Sequence, residues 1–309
     1  MGSDARRASR PPEPTATRLD RFLSRAGHDR PEIALAKLRW FRRLLLLEIA
    51  VEAWIHAADA NPPAAYPWPT AALPALHFLC AAAVWRQTWE RRATIVAAAV
   101  RLAFLVRVFP LTANHVFLEC LLLLILASFD GEKADESQVA LAGMRWTTII
   151  VVLSSGLQKA AHGFYFHGEF LASDLAYQAR ALNPLDLFLS ARERERLLSL
   201  GEPHPGSGSY RIGEMPFLFV SNAIWSGQIG TAIACLAERL RSAAVVGLVS
   251  LALAVQLAER EVVFGLLLLN LALLFTRRCW NGLSFVASAA VLAVALASHV
   301  GLLPSWYFN

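Results

Sequence analysis

The stretch Thr147–Leu171 reads TTIIVVLSSGLQKAAHGFYFHGEFL, and its order decides how the rest of the chain is read. It opens as an apolar run, Thr147–Leu153. It passes through three small residues, Ser154, Ser155 and Gly156, and then meets a cation, Lys159, still set among apolar and small neighbours. Beyond it the chain turns aromatic and polar, with His162, Phe164, Tyr165, Phe166, His167 and Glu169. That is the profile of a membrane span leaving the bilayer through an interface. A lysine at the centre of a span costs roughly 2.5–3.5 kcal/mol on insertion scales, so Lys159 either snorkels to the interface or faces a wet cavity inside the bundle. The stretch alone leaves both readings open.

The whole chain agrees with a membrane reading. Of its 309 residues 56% are hydrophobic and only 17% charged, and its mean hydropathy is +0.44. These values describe a polytopic integral membrane protein of all-α class and exclude an ordinary soluble domain. The formal charge of +5 is not a nucleic-acid signal. Many basic residues cluster before the first apolar segment and at segment ends, where insertion topology places them. Cys80, Cys120, Cys235 and Cys279 lie in or beside apolar runs without metal-ligand spacing, so neither a disulfide nor a metal site is expected. Residues 1–36 lack an apolar signal core and read as a flexible cytoplasmic tail. Met1-Gly2 is no myristoylation site, because Arg6 stands where the motif needs Ser or Thr.

Against the ~20 residues that a span requires, about nine apolar segments can be counted. They run over 38–57, 70–85, 93–110, 112–129, 140–161, 216–236, 242–258, 261–277 and 282–303. Alternating them puts the arginines before the first segment, Arg86, Arg91 and Arg92, Arg239 and Arg241, and Arg277 and Arg278 on one side, the cytoplasmic one. The C-terminus then lies outside, in a cell (inner) membrane. So does the long connection 162–214, in which Phe166–Ala179 and Pro184–Leu200 read as interfacial helices that roof a cavity. Asn183-Pro184 breaks the two, and Glu202–Tyr210 reads as a loop. The domain division is therefore a tail, 1–36, and a transmembrane domain, 37–309. No phosphate loop, nucleophile elbow or internal repeat is present.

Several ionisable residues sit where lipid should be. Glu48 and Glu52 are four apart, as are His115 and Glu119, so each pair shares a helix face. Arg101 and Arg107 lie in the third segment. Charges within spans usually face the interior and pair with one another, so Glu48 or Glu52 is expected to neutralise Arg101 or Arg107 as structure. His115 and Lys159 are set apart from these. Counted from the 130–139 loop at ~1.5 Å per residue, both reach the outer half of the bilayer, where they are expected to line one cavity. An amine kept in an apolar pocket sheds its proton more readily, because desolvation disfavours the cation, and then serves as a general base or as a Schiff-base nucleophile.

Three pieces of the chain resemble the transmembrane (HTTM) domain of the vitamin K-dependent gamma-carboxylase family. Asn114-His115-Val116-Phe117-Leu118, running on to Ser128-Phe129-Asp130, looks like the family's Asn-His segment. Ser155-Gly156-Leu157-Gln158-Lys159, followed by Phe164 and Gly168-Glu169, looks like its Ala-Gly-x-x-Lys motif. Trp225–Leu240 and Glu261–Phe275 loosely resemble later spans, and the likeness covers roughly 38–280. The resemblance implies that Lys159 deprotonates a reduced isoprenoid quinone of the vitamin K type. Oxygen then gives a strongly basic intermediate, a peptide glutamate loses a γ-proton, and CO2 is taken up, with His115 assisting that step. Ser155, Gly156, His162 and Tyr165, beside Lys159, are expected to contact the quinone. There are departures. The family's double lysine is Gln158-Lys159 here, apolar or amide residues stand around Ala254–Gln256 where a histidine is expected, and the 309 residues do not include a stretch like the carboxylase's large lumenal domain. Expected partners are membrane lipid and a secreted or membrane protein or peptide, with no nucleic acid. The alternative is a non-enzymatic membrane protein that binds a quinone or lipid and assists a partner.

Overall fold

A computed structural model of the chain describes residues 29–58, 72–109, 114–129, 134–178, 184–200, 208–258 and 262–299. The tail up to 28, the 59–71 connection, the 201–207 part of the expected loop and the C-terminal 300–309 lie outside the described residues. Among the described residues the fold is all-helical, with no strand. Eleven α-helices follow in order: α1 (Pro31–Ala58), α2 (Ala72–Ala83), α3 (Gln87–Val108), α4 (Asn114–Ser128), α5 (Ala134–His162), α6 (Glu169–Gln178), α7 (Ala191–Leu198), α8 (Met215–Leu236), α9 (Arg241–Ala258), α10 (Val262–Leu274) and α11 (Asn281–His299). Short 3-10 turns cover Pro184–Phe188 and Glu238–Leu240.

By length and composition one helical stretch among the described residues, Glu136–His162, is long and apolar enough to cross a membrane. Ala72–Ala83, His115–Ser128, Val263–Leu274 and Asn281–Ala297 are apolar but shorter. The first helix reaches back to Pro31, into the stretch read as tail. Proline fits the first helical position because it has no N–H to leave unsatisfied, and Glu32 complements the helix N-terminus. Ala34 and Lys37 are already fully buried there.

Helix α1 is the axis of the bundle. Its Leu38, Phe41, Leu45, Leu46 and Ile49 join Leu122, Leu123 and Leu126 of α4, Leu141 and Met144 of α5 and Leu267, Leu271 and Leu274 of α10 in one apolar core. Helix α5 instead packs closely on α8. A Cβ added at Gly156 would lie 2.8 Å from Ile229 Cγ1 and 3.0 Å from the Trp225 carbonyl oxygen, so only glycine lets the two backbones approach this far.

One end of the bundle is tied by charge. Asp29 Oδ2 accepts from Lys37 Nζ at 2.6 Å and from Arg145 at 2.7 Å, while its Oδ1 meets Arg241 at 3.2 Å. Lys37 and Arg145 also donate to Leu274 O, at 3.3 and 2.9 Å, and so satisfy the carbonyl end of α10. Burial alone would raise the Asp29 carboxyl, but Arg145, Lys37 and Arg241 together hold it below its ordinary value.

The other end is capped by the 163–214 segment. The second of its two expected helices is split, into the 3-10 turn and α7, because Ser190 intervenes as an N-cap whose Oγ accepts from Glu193 N at 3.3 Å. Ser190 N–H donates to Glu214 Oε2 at 2.8 Å, and its hydroxyl bonds the other oxygen; these two bonds hold the Glu214 carboxyl below its usual range. The segment has a core of Tyr165, Leu171, Ala172, Leu175, Leu185, Leu197, Tyr210 and Ile212, closed by Phe217 of α8.

Candidate functional site

Lys159 stands in the last turn of α5. The helix ends there because Gly163, at φ 72°, takes the left-handed conformation and its N–H closes on the Lys159 carbonyl at 3.2 Å. Lys159 Nζ donates to Ser155 Oγ, one turn back, at 2.7 Å, and lies 5.6 Å from the centre of the Tyr165 ring. Tyr165 is buried, and its carbonyl accepts from Ser221 Oγ of α8 at 2.7 Å. Asn222 Nδ2 donates to the Phe166 carbonyl at 3.3 Å, and the Phe166 ring meets Trp225 edge-on at 5.5 Å. The lysine is therefore held where α5, α8 and the turn at 163–168 meet. Of the residues expected to contact a quinone, Ser155 and Tyr165 touch Lys159, and Gly156 faces α8. His162 is exposed and stacks on Phe164 at 6.1 Å.

His115 belongs to a different constellation. Its Nε2 lies 3.1 Å from Glu52 Oε1, and its ring stacks on Phe264 of α10 at 5.9 Å. Arg101, fully buried on α3, donates through Nε to Glu119 Oε2 at 2.8 Å and through its terminal nitrogen to Oε2 of both Glu52 and Glu119. Glu52 of α1, Arg101 of α3 and His115 with Glu119 of α4 thus form one polar cluster inside the bundle. His115 turns to Glu52 of α1 and Phe264 of α10, and Lys159 to Ser155 and Tyr165.

The expected neutralisation of Arg101 by Glu52 is present, with Glu119 as a second partner. Arg107 lies exposed on α3. Glu48 is held by Asn270 of α10, whose Nδ2 donates to Oε1 at 3.0 Å, and Ser284 of α11 donates to Asn270 Oδ1 at 2.9 Å. Sequence spacing missed Asn270 and His77. His77 is buried on α2 with Nδ1 2.9 Å from the Leu73 carbonyl. The i, i+4 pairs Glu48/Glu52 and His115/Glu119 were the signal for the cluster, since each pair puts two polar groups on one face.

Compared with protein-family models, curated proteins and solved structures, the chain showed no match.

Proposed function

We propose that this protein is a multi-pass membrane enzyme that uses Lys159 as a base toward a reduced isoprenoid quinone, with O2 as oxidant, in the manner of the vitamin K-dependent carboxylases its motifs resemble. The observation that carries the reading is the setting of Lys159: an amine in the last turn of an apolar helix, on a hydroxyl and against a buried aromatic ring. A hydroxyl accepts from an ammonium and donates to a neutral amine, so the Ser155 contact survives transfer of a proton to or from Nζ. The flat faces of Tyr165, Phe166 and Trp225 suit a quinone ring, and a quinone reaches such a place laterally through lipid.

The nine-span topology is part of the proposal, with the N-terminus cytoplasmic and the C-terminus exoplasmic. It is supported by large apolar side chains turned outward on helices all around the bundle, among them Val106, Ile150, Phe219, Val246 and Leu283. Helix α8 is 22 residues long without a charged residue, about 33 Å at the α-helical rise. Asp29, Lys37, Arg145 and Arg241 gather at one end, in keeping with a shared side for the N-terminus and the 237–241 loop.

The test is incubation of the detergent-purified chain with a vitamin K-type hydroquinone and O2, following quinol loss. Labelled bicarbonate and a glutamate peptide report the second step. Lys159→Arg should lower quinol consumption by about 10²–10⁴, the usual contribution of a general base, because arginine stays charged. Full activity in that variant, or an inert wild type, would remove the base assignment.

A further inference from the structure

We infer that Glu52, His115 and Glu119 form a binding site for a single divalent first-row transition-metal ion, oriented by Arg101. One donor atom from each of the three residues lies within 4.8 Å of the others. Glu119 is fully buried, and its Oε1 has no hydrogen-bond partner among the described residues. The division of the oxygens explains this. Arg101 grips Oε2 of both carboxylates, which leaves Oε1 of Glu52 on His115 and Oε1 of Glu119 as an acceptor with nothing to accept. A buried, unfilled carboxylate oxygen costs free energy unless a cation or a donor completes it.

The charge count points the same way. Glu48, Glu52 and Glu119 are within electrostatic reach of one another, all buried; Arg101 bonds Glu52 and Glu119, and Glu48 is held by Asn270. Glu52 and Glu119 share one guanidinium between two carboxylates, and a divalent ion would complete what Arg101 leaves over. His77, buried on α2 with Nδ1 on the Leu73 carbonyl, feels the charges of Glu52 and Arg101 but is not one of the three ligands.

Geometry and ligand type select the class of ion. Ligands at about 2.1 Å from a metal stand roughly 3.0–3.4 Å from their neighbours in octahedral or tetrahedral sites. The 3.1 Å between His115 Nε2 and Glu52 Oε1 already has that spacing. One imidazole with two carboxylates suits Mn2+, Fe2+ or Zn2+ more than Ca2+ or Mg2+, which favour all-oxygen shells. The ligands come from α1 and α4, so the ion would fasten two helices that the 59–71 and 110–113 connections separate in sequence. The site shares no residue with the Lys159 setting and stands or falls without it.

The test uses the full chain purified in detergent, stripped with a chelator and titrated with Mn2+ under electron paramagnetic resonance. One Mn2+ per chain is expected, with a nitrogen coupling from an imidazole, and with displacement by Zn2+, which binds such ligand sets more tightly. His115→Gln should abolish the nitrogen coupling, and Glu119→Gln should weaken Mn2+ at least about tenfold, while both elute as folded monodisperse protein. The wild-type spectrum alone decides the matter if either variant fails to fold. No bound Mn2+, binding without nitrogen coupling, or an unchanged spectrum in folded His115→Gln protein would each overturn the site, and the surplus carboxylates would then hold protons instead. Quinol consumption by Lys159 is read in a separate assay, so failure here leaves that result untouched.

Discussion

Among the buried charge clusters of the described residues, two are balanced in opposite senses. At one end Asp29 serves Lys37, Arg145 and Arg241, and the excess positive charge is spent on the carbonyls of Leu274, Thr276 and Phe275 at the end of α10. Among the bundled helices Arg101 serves two carboxylates and one oxygen is left over. The first cluster closes on protein atoms alone: cations that lack carboxylates find helix C-terminal carbonyls, which favour positive charge. The second has acceptors to spare. A cluster that satisfies itself needs only to hold helices together, whereas one that is short of cations is built around something else.

The comparison is broken most severely by Arg101→Ala. Removing one partner of a buried pair leaves the other charge desolvated, at a typical cost of ~3–5 kcal/mol. Little folded protein should survive detergent extraction, and added Mn2+ should recover part of it if the carboxylates take a metal. A full yield of folded Arg101→Ala protein without metal would show that the carboxylates never needed the guanidinium.

Asp29→Asn should cost less, about 2–3 kcal/mol, because Lys37, Arg145 and Arg241 keep their carbonyl acceptors. The wild type carries a pH signature here. The folded Asp29 carboxyl is depressed, so its stabilisation is present above the ordinary aspartate value and is lost as pH falls through the lower folded value. Thermal unfolding in detergent should therefore drop below about pH 4 in the wild type, and that limb should be shallower in Asp29→Asn.

Asn270→Leu removes the amide donor of Glu48 and should lower stability by about 1–3 kcal/mol, the usual penalty for an orphaned buried acceptor. An unchanged melting temperature would mean that Glu48 draws nothing from α10. Ser190→Ala, remote from both clusters, removes only an N-cap and should cost about 1 kcal/mol, read as faster proteolysis of the roof segment with the bundle intact.

The helix order and the polar faces were legible in the sequence, because apolar runs and i, i+4 spacing are local properties. Ser155 under Lys159 and Glu119 beside His115 follow from that spacing. Arg101 and Arg107 show its limit. Six residues at 100° each leave them about 240° apart around α3, so a single interior cluster could not take both, and Arg107 is the one turned outward. Depth along a helix said that His115 and Lys159 stand at comparable heights. It said nothing of azimuth, which is set by which helices pack together. Helices α4 and α5 share the core on α1, but His115 faces Glu52 of α1 and Phe264 of α10, whereas Lys159 lies at the contact of α5 with α8, so the two residues have different neighbours. Helix α8 and its Ser221 and Asn222 lie beyond the roof in sequence, and no local pattern announces that they stitch the turn after Lys159.

The Gly156 contact has a kinetic side. Helices α5 and α8 meet closely although the whole of 163–214 lies between them, and closing so long a loop carries an entropic cost that rises with the logarithm of its length. The roof's core shortens the path: Tyr165 at its start and Phe217 of α8, just past its finish, are buried in the same cluster, with Gly168 leaving room for the Phe217 ring. A roof that collapses early delivers α8 to α5 already in register. Phe217→Ala should then slow the refolding of α5 against α8 as well as weaken it, and a variant that altered only the unfolding rate would place that pairing ahead of the roof in time.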